Sequence, residues 1–378
     1  MRIALFTNNY LPFRGGVTTA VETLRTGLEA SGHQAWVFAP AARAAGDSPG
    51  VFRYPSIPAP TYPGFAVPLP YSPRLARSAR GLRPDIIHAQ HPFLLGVTAR
   101  RIARRLAVPL VFTYHTRYEK YAHYVPAPER LVAALAVRLA CRFADRADLV
   151  IAPSTSIAET LRTRGVRARI AVVPTGVPLD HFRPGDAGGA RRALGLAPEA
   201  LVCLYVGRLD REKSVERVIE AFDLIAGALP AARLLLVGQG SHAEALGRRA
   251  AAGPARDRIR FVGGVARDAL PPYYRAADLF LFASETETQG LVLAEAHACG
   301  LAAVAVRASG VEEVVVDGQT GLLAKPDARD LADAAVGLLV DPARRAAMGA
   351  AGRAVAERAF SAAGQVATMV ELYAGLRG

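Results

Sequence analysis

The sequence has 378 residues, 51% of them hydrophobic, and a formal net charge of +13. This length exceeds what one hydrophobic core usually supports, which excludes a single small domain and predicts two domains of roughly 180 residues each. No apolar run reaches the ~18 residues that a membrane-spanning helix needs, so we expect no such helix.

Two features favour a cytoplasmic protein. The apolar run at residues 3–6 is too short for a secretory signal. Cys141, Cys203 and Cys299 are widely spaced and lie in apolar runs, as reduced core cysteines do.

The net positive charge of the protein comes entirely from the first half of the chain. Residues 1–180 contain 23 Lys+Arg against 10 Asp+Glu, whereas residues 181–378 contain 23 of each. Such a basic domain suggests an anionic partner, either nucleic acid or anionic lipid. We expect no nucleic-acid partner, because no helix-turn-helix, zinc or RNA-binding motif accompanies the arginines.

The chain begins with a predicted strand at residues 2–7, a loop containing Gly15-Gly16, and a helix at residues 17–30. Together these form the start of a nucleotide-type βαβ unit, in which glycines let the backbone approach a phosphate or a sugar. A glycine pair before a helix is also common in ordinary turns.

His115 is the strongest catalytic candidate in the first half, because it follows a buried strand at the sheet edge where ligands bind. A lone histidine is otherwise more often a structural residue. The further strands predicted in this half cover residues 34–38, 51–54, 85–89, 110–114, 148–152 and 170–173.

A second set of strands alternates with helices after a linker at residues 174–184. The fold class is therefore α/β, with two doubly wound Rossmann-like domains at residues 1–180 and 181–360. The strands of the second domain cover residues 201–207, 233–237, 259–262, 279–283 and 302–306.

The loop after the first strand of the second domain carries Arg208 and Lys213. Two cations at a strand end could bind a diphosphate, arginine as a bidentate fork and lysine as a point charge. The alternative is an ordinary solvated helix start.

Residues 284–300, SETETQGLVLAEAHACG, follow a fully apolar strand. Glu287 lies in the loop, and Glu295 follows eight residues later, a little over two helical turns. We therefore expect Glu295 on nearly the same face as the helix start and both carboxylates directed to one pocket. Alternatively, Glu287 is a glutamate favoured by the helix dipole and Glu295 a solvated helix position.

These motifs together resemble those of the retaining glycosyltransferases of family 4, which have the GT-B fold. The resemblance is carried by the E-x7-E pattern from Ser284 to Gly300, by G-R-L-x-x-E-K at residues 207–213 and by the GGV at residues 15–17. The form ETQG further resembles the branch that glycosylates diacylglycerol. His297 and Ala302-Ala303 stand where the family usually has Met and Pro-Val.

The resemblance implies two domains facing across a cleft, with the last helix, at about residues 361–378, packed back on the first domain. It places Glu287 at the transferred sugar, Glu295 on the ribose, and His115 near the sugar and the acceptor hydroxyl. Arg208 and Lys213 would neutralise the leaving nucleoside diphosphate, so these two, His115 and Glu287 form the expected catalytic set. The full expected donor site comprises Gly15, Gly16, Val17, Arg208, Lys213, Val262, Gly263, Glu287, Thr288, Gln289, Gly290, Leu291 and Glu295.

We expect neither a metal nor a cofactor. The chain has no Asp-x-Asp and no His/Cys cluster at ligand spacing. Gly238-Gln239-Gly240 lacks the third glycine of a dinucleotide fingerprint, so an ordinary tight turn is the better interpretation.

The expected reaction is transfer of a hexose, with glucose from a UDP-sugar favoured, to a membrane lipid, with diacylglycerol favoured. On the acceptor side we expect Tyr10, His115, Tyr118, Tyr121 and Tyr124. Arginines at helical spacing in residues 97–107 and 129–146 suggest helices that lie on an anionic membrane, at the inner face of the cell membrane. The alternatives are packed surface helices, an acceptor such as phosphatidylinositol (with GDP-mannose as donor) or a soluble sugar, and a non-catalytic binding protein.

Overall fold

The structure is a computed structural model that describes residues 1–13, 15–42, 48–59 and 65–377. It divides into two compact units, residues 1–176 with 362–378, and residues 177–361.

The first unit is built on a seven-stranded parallel sheet with strand order β3-β2-β1-β6-β7-β8-β9. A small antiparallel pair, β4 and β5, lies outside this sheet. The strands are β1 (Arg2–Phe6), β2 (Gln34–Pro40), β3 (Val51–Tyr54), β4 (Ser56–Pro58), β5 (Ala66–Pro68), β6 (Ile86–Ala89), β7 (Leu110–Thr113), β8 (Leu149–Ala152) and β9 (Ile170–Val172). The helices are α1 (Gly16–Ala30), α2 (Pro73–Gly81), α3 (Leu95–Leu106), α4 (Glu129–Ala144) and α5 (Thr155–Thr163), with a 3-10 helix at Tyr118–Tyr124.

Both faces of this sheet are covered, as the alternation along β1 shows. Ala4 and Phe6 pack into one apolar cluster, and Ile3 and Leu5 into another. Successive residues of a strand point to opposite faces, so an uninterrupted apolar strand requires cover on both sides.

The second unit has a six-stranded parallel sheet with strand order β12-β11-β10-β13-β14-β15. Its strands are β10 (Leu201–Val206), β11 (Ala232–Val237), β12 (Ile259–Gly263), β13 (Leu279–Phe282), β14 (Ala303–Val306) and β15 (Gly321–Ala324). Its helices are α6 (Ala187–Ala193), α7 (Val215–Ala228), α8 (Ala243–Ala252), α9 (Pro271–Ala276), α10 (Leu291–Ala298), α11 (Ala328–Leu339) and α12 (Pro342–Ala359), with 3-10 helices at Arg211–Lys213, Arg256–Arg258 and Arg267–Ala269.

The chain ends in α13 (Ala362–Ala374), which belongs to the first unit. Val366, Met369 and Tyr373 of this helix join the apolar cluster that contains Ile3 and Leu5. The predicted fold class, two doubly wound α/β sheets, is confirmed. The strand β15 was not predicted, because its four residues carry no pattern that distinguishes them from a loop.

Candidate active site

Arg208 lies directly after β10 and is held by two carboxylates. Its Nη2 donates to Oε1 of Glu212 at 2.6 Å, and its Nη1 pairs with Asp210. Asp210 is fully buried and also accepts hydrogen bonds from the backbone N–H and the hydroxyl of Ser241, both at 2.7 Å. The guanidinium is therefore fixed in orientation, unlike an arginine at a solvated helix start.

Lys213, at the end of the same loop, contacts the other predicted motif. Its Nζ donates to Oε1 of Glu287 at 2.6 Å, with 13% of the lysine and 16% of the glutamate side chain exposed. Burial alone would raise the pKa of Glu287, but Lys213, the Ser284 hydroxyl and Arg208 outweigh it and hold the pKa below its usual value. Glu287 is therefore a carboxylate that can only accept hydrogen bonds.

The loop that carries Glu287 is not helical, so Glu287 is not a first-turn glutamate of α10, the alternative considered from the sequence. The helix α10 begins at Leu291, after Gly290, whose φ of +80° falls in the left-handed region that favours glycine. Glu287 precedes the helix, so the helical spacing does not relate it to Glu295. Thr288 and the buried Gln289 complete the loop.

Gly310, which the sequence interpretation missed, lies against this loop. A Cβ at this position would come within 2.5 Å of the carbonyl oxygen of Glu287 and within 2.9 Å of the backbone nitrogen of Gln289. The close approach of the two backbones therefore requires glycine and fixes the position of the loop.

Glu295 has its own partners, separate from those of Glu287. Glu295 is 2% exposed, and its carboxylate accepts hydrogen bonds from Nε of Arg267 at 2.8 Å and from the Tyr274 hydroxyl at 3.0 Å. This excludes the solvated helix position considered from the sequence. Arg267 and Tyr274 were missed, since neither lies in a recognisable motif.

The remaining predicted donor-site residues lie at the start of α1 and at the end of β12. Gly15 is the residue before α1, and a Cβ added to Gly16 would meet no atom within 4 Å. Val17 follows in the first turn of α1. Val262 and Gly263 end β12, with Gly263 at a φ of +85°.

His115 lies two residues beyond β7 and contacts Gln90, which follows β6. The two side chains are joined by a 2.7 Å hydrogen bond between Nε2 of His115 and Oε1 of Gln90. Burial lowers the pKa of His115 to about 4, so the ring is neutral at pH 7.

The predicted acceptor-side tyrosines differ in their surroundings. Tyr10 is 4% exposed and its hydroxyl donates to Glu22. Tyr118 packs edge-on against Phe93, with ring centroids 5.2 Å apart. Tyr121 and Tyr124 are partly exposed and their rings stack, with centroids 6.3 Å apart.

Two further features are absent from the described residues. There, no group of three or more His, Cys, Asp and Glu side chains is placed to hold a metal ion. Nor does any helix in that part of the chain combine the length and apolar character that crossing a bilayer demands.

Comparison with known proteins gives matches in both units. Residues 14–181 match the family described as Glycosyltransferase Family 4, and residues 189–355 match Glycosyl transferases group 1. The alpha-monoglucosyldiacylglycerol synthase of Streptococcus pneumoniae is 32% identical over 337 residues, which cover 85% of this chain and 75% of that protein. The chain belongs to glycosyltransferase family 4.

Two other similar proteins broaden the comparison. The D-inositol 3-phosphate glycosyltransferase 2 of Catenulispora acidiphila is 36% identical, covering 70% of this chain and 65% of that protein. The crystal structure of Anabaena HepE in complex with UDP-glucose aligns with a TM-score of 0.81 at 22% identity, covering 99% of this chain and all of that chain. The family 4 enzyme thus has the GT-B fold and is a retaining hexosyltransferase that takes its sugar from a nucleotide sugar.

Proposed function

We propose that this glycosyltransferase moves a glucosyl group from UDP-glucose to diacylglycerol at an anionic membrane surface. The observation that carries the lipid assignment is a row of exposed leucines on α4, which follows the tyrosine-bearing 3-10 helix. The similarity to a diacylglycerol glycosyltransferase and the ETQG form of the loop at residues 287–290 support the same acceptor.

The leucine row consists of Leu131, Leu135 and Leu139, which are 70%, 57% and 41% exposed. Residues four apart lie on one face of a helix, so the three side chains form one apolar stripe. Arg138 and Arg142 are exposed on the same helix. An apolar stripe beside arginines is the pattern of a helix that lies in the interface of an anionic bilayer.

Helix α3 supports the same surface in a different way. Its apolar residues, among them Ala99 and Ile102, are buried, whereas Arg101, Arg104 and Arg105 are exposed. We infer that α3 contributes charge attraction and α4 contributes apolar insertion, which separates the salt-sensitive part of binding from the salt-insensitive part.

On the donor side we assign the diphosphate to Arg208 and Lys213. Both cations are already oriented by carboxylates, Arg208 by Asp210 and Glu212 and Lys213 by Glu287. Cations fixed in advance stabilise the negative charge that develops on the leaving group without reorganising during the reaction.

The two glutamates are assigned to hydroxyl groups. Glu287 is an ionised acceptor beside Lys213, which suits a sugar hydroxyl next to the diphosphate. Glu295, held by Arg267 and Tyr274, suits the ribose hydroxyls of the nucleotide. The backbone at Gly15, Gly16 and Val17 and at Val262 and Gly263 completes the proposed donor site.

In the proposed reaction the bond between the anomeric carbon and the diphosphate oxygen breaks, and the acceptor oxygen bonds to the same face of that carbon. The departing phosphate oxygen takes the proton of the acceptor hydroxyl. Arg208 and Lys213 hold the charge of the nucleoside diphosphate. His115 positions the sugar and the acceptor hydroxyl, and its low pKa keeps it neutral in this role.

The experiment that tests the acceptor uses vesicles containing diacylglycerol and phosphatidylinositol together, incubated with UDP-glucose or with GDP-mannose. The proposal predicts that diacylglycerol alone gains one hexose, from UDP-glucose, as measured by mass spectrometry of the extracted lipids. A hexose on phosphatidylinositol, or on neither lipid, would overturn the acceptor assignment.

A soluble acceptor is the second candidate, because the Catenulispora relative is named for D-inositol 3-phosphate. Adding that compound to the same vesicles includes it in the test. A water-soluble glycoside in place of a glycolipid would favour this candidate.

A further inference from the structure

Two hydrogen bonds form successive rungs, the first between β6 and β7 and the second between the segments that directly follow them. His88 contacts the Thr113 hydroxyl through Nε2 at 2.7 Å, and Gln90 contacts Nε2 of His115 at 2.7 Å. Each pair is separated by 25 residues, and each member of the second rung lies two residues beyond its counterpart in the first. The second rung therefore continues the spacing of the first beyond the ends of the two strands.

The first rung is anchored on the C-terminal helix. Nδ1 of His88 contacts the hydroxyl of Tyr373, in α13, at 2.6 Å. His88 is 1%, Thr113 6% and Tyr373 0% exposed. Buried polar groups with satisfied hydrogen bonds are rigid, so this rung fixes the ends of the two strands that lead into Gln90 and His115.

In the second rung the amide of Gln90 determines the tautomer of His115. An amide oxygen can only accept a hydrogen bond, so Nε2 of His115 must carry the proton. Because the ring is neutral at pH 7, Nδ1 is then its only hydrogen-bond acceptor. Gln90 is only 2% exposed, and its buried Nε2 has no hydrogen-bond partner in the described part of the chain.

We propose that Gln90 is a positioning residue that holds His115 as the Nε2–H tautomer and offers its own amide N–H to a substrate hydroxyl. A buried donor without a partner is unfavourable, and a bound polyhydroxyl ligand relieves it. The catalytic consequence rests on the proposed function, in which His115 positions the sugar and the acceptor. The tautomer itself does not depend on that function.

The test is a nitrogen-15 NMR spectrum of protein labelled at histidine, with the His115 signals assigned by loss in His115→Phe. The wild type is expected to show His115 protonated at Nε2 at pH 7. The charge of a protonated His115 would also lower the pKa of His88 and of His91, so the signals of these two histidines are assigned by the same procedure. A wild-type His115 protonated at Nδ1 would overturn the proposal without any variant of Gln90.

Gln90→Glu gives a second readout, because a carboxylate beside Nε2 stabilises the imidazolium. The pKa of His115 is expected to rise by about 1–3 units, and the pH profile of activity is expected to change with it. Gln34→Glu makes the same change at an exposed position of the same unit and is expected to leave both unchanged. An unchanged pKa of His115 in Gln90→Glu would contradict the proposal.

Gln90→Leu removes the amide N–H, and the proposal predicts a KM for the nucleotide sugar or the acceptor that is raised about tenfold or more. If the NMR results are as expected but His115→Phe retains full activity, the assigned role of His115 fails while the positioning by Gln90 stands. The two failures are therefore distinguishable.

Discussion

Lys213 donates a hydrogen bond to Glu287 at 2.6 Å, and this contact joins the loop after β10 to the loop after β13. Both loops lie at the carboxyl ends of adjacent parallel strands. In open α/β sheets this edge is where ligands bind. The pair thus brings together the G-R-L-x-x-E-K motif at residues 207–213 and the E-x7-E motif at residues 284–300, which lie far apart in the sequence.

Replacing Lys213 tests its assignment to the diphosphate. Lys213→Ala is expected to lower kcat by about 10²–10³-fold, the usual effect of removing one group that stabilises developing charge. Lys325→Ala removes an exposed lysine of the same unit and should be close to wild type in nucleoside diphosphate release. Equal rates for the two variants would contradict the assignment.

The ionised state of Glu287 predicts a pH dependence of stability. Its pKa is lowered in the folded protein, so its ionisation stabilises the fold above the ordinary carboxyl value of 4.5 and that contribution is lost as the pH falls toward the lowered value. The difference in Tm between wild type and Glu287→Gln should therefore be constant from pH 7 to about 5. Below that pH the Tm of the wild type should fall relative to the Tm of the variant. A difference that does not change down to pH 3 would show that Lys213 does not shift this pKa.

Gly310→Ala tests the close backbone approach that fixes the loop at residues 287–290. The added Cβ would lie 2.5 Å from the Glu287 carbonyl, so we expect a loss of about 1–3 kcal/mol in the free energy of unfolding and a lower kcat. Gly337→Ala is the matched control, because a Cβ there meets nothing within 4 Å and the position is helical. The control should be neutral or stabilising by about 0.4–1 kcal/mol. Equal unfolding midpoints for the two variants would contradict the account of the loop.

The leucine row on α4 should govern insertion into the bilayer. Changing Leu131, Leu135 and Leu139 together to Ser is expected to weaken binding to anionic vesicles at least tenfold, because each exposed leucine loses apolar area that would be buried in lipid. Leu224→Ser, at an exposed leucine of α7 in the other unit, should leave vesicle sedimentation unchanged. Binding that survives the triple change would remove the support that α4 gives to a lipid acceptor.

The arginines of α3 should govern the salt-sensitive part of the same binding. Reversing Arg100, Arg101, Arg104 and Arg105 to Glu is expected to weaken binding to anionic vesicles and to reduce its dependence on salt, while donor affinity stays the same. The measurement is vesicle binding between 50 and 500 mM salt, about the range over which screening becomes strong. Vesicle binding that ignores both the reversal and the salt would contradict an electrostatic role for α3.

The sequence predicted the framework because parallel strands buried on both faces appear as continuous apolar runs. Residues 279–283 are such a run, and the structure has β13 there. The strand β15 was missed because Gly321–Ala324 is short and includes a glycine, so its pairing with β14 determines its conformation.

The partners of the candidate site residues could not be predicted, because they come from distant parts of the chain. Arg267 reaches Glu295 across 28 residues, and Ser241 reaches Asp210 across 31. The sequence placed Glu287 in a loop, but the count of two helical turns to Glu295 did not hold, because α10 begins only at Leu291. Helical periodicity predicts the helix face on which a residue lies only when the first residue of the helix is known.

The measurement that tests the central claim most directly is the rate of nucleoside diphosphate release from UDP-, GDP- and ADP-glucose, each with and without diacylglycerol in mixed micelles. The account predicts that release from UDP-glucose rises sharply when diacylglycerol is present and that Glu287→Ala abolishes the rise. Release that does not respond to diacylglycerol but rises with a soluble sugar or sugar phosphate would contradict the lipid acceptor, while leaving the family and its fold unchanged.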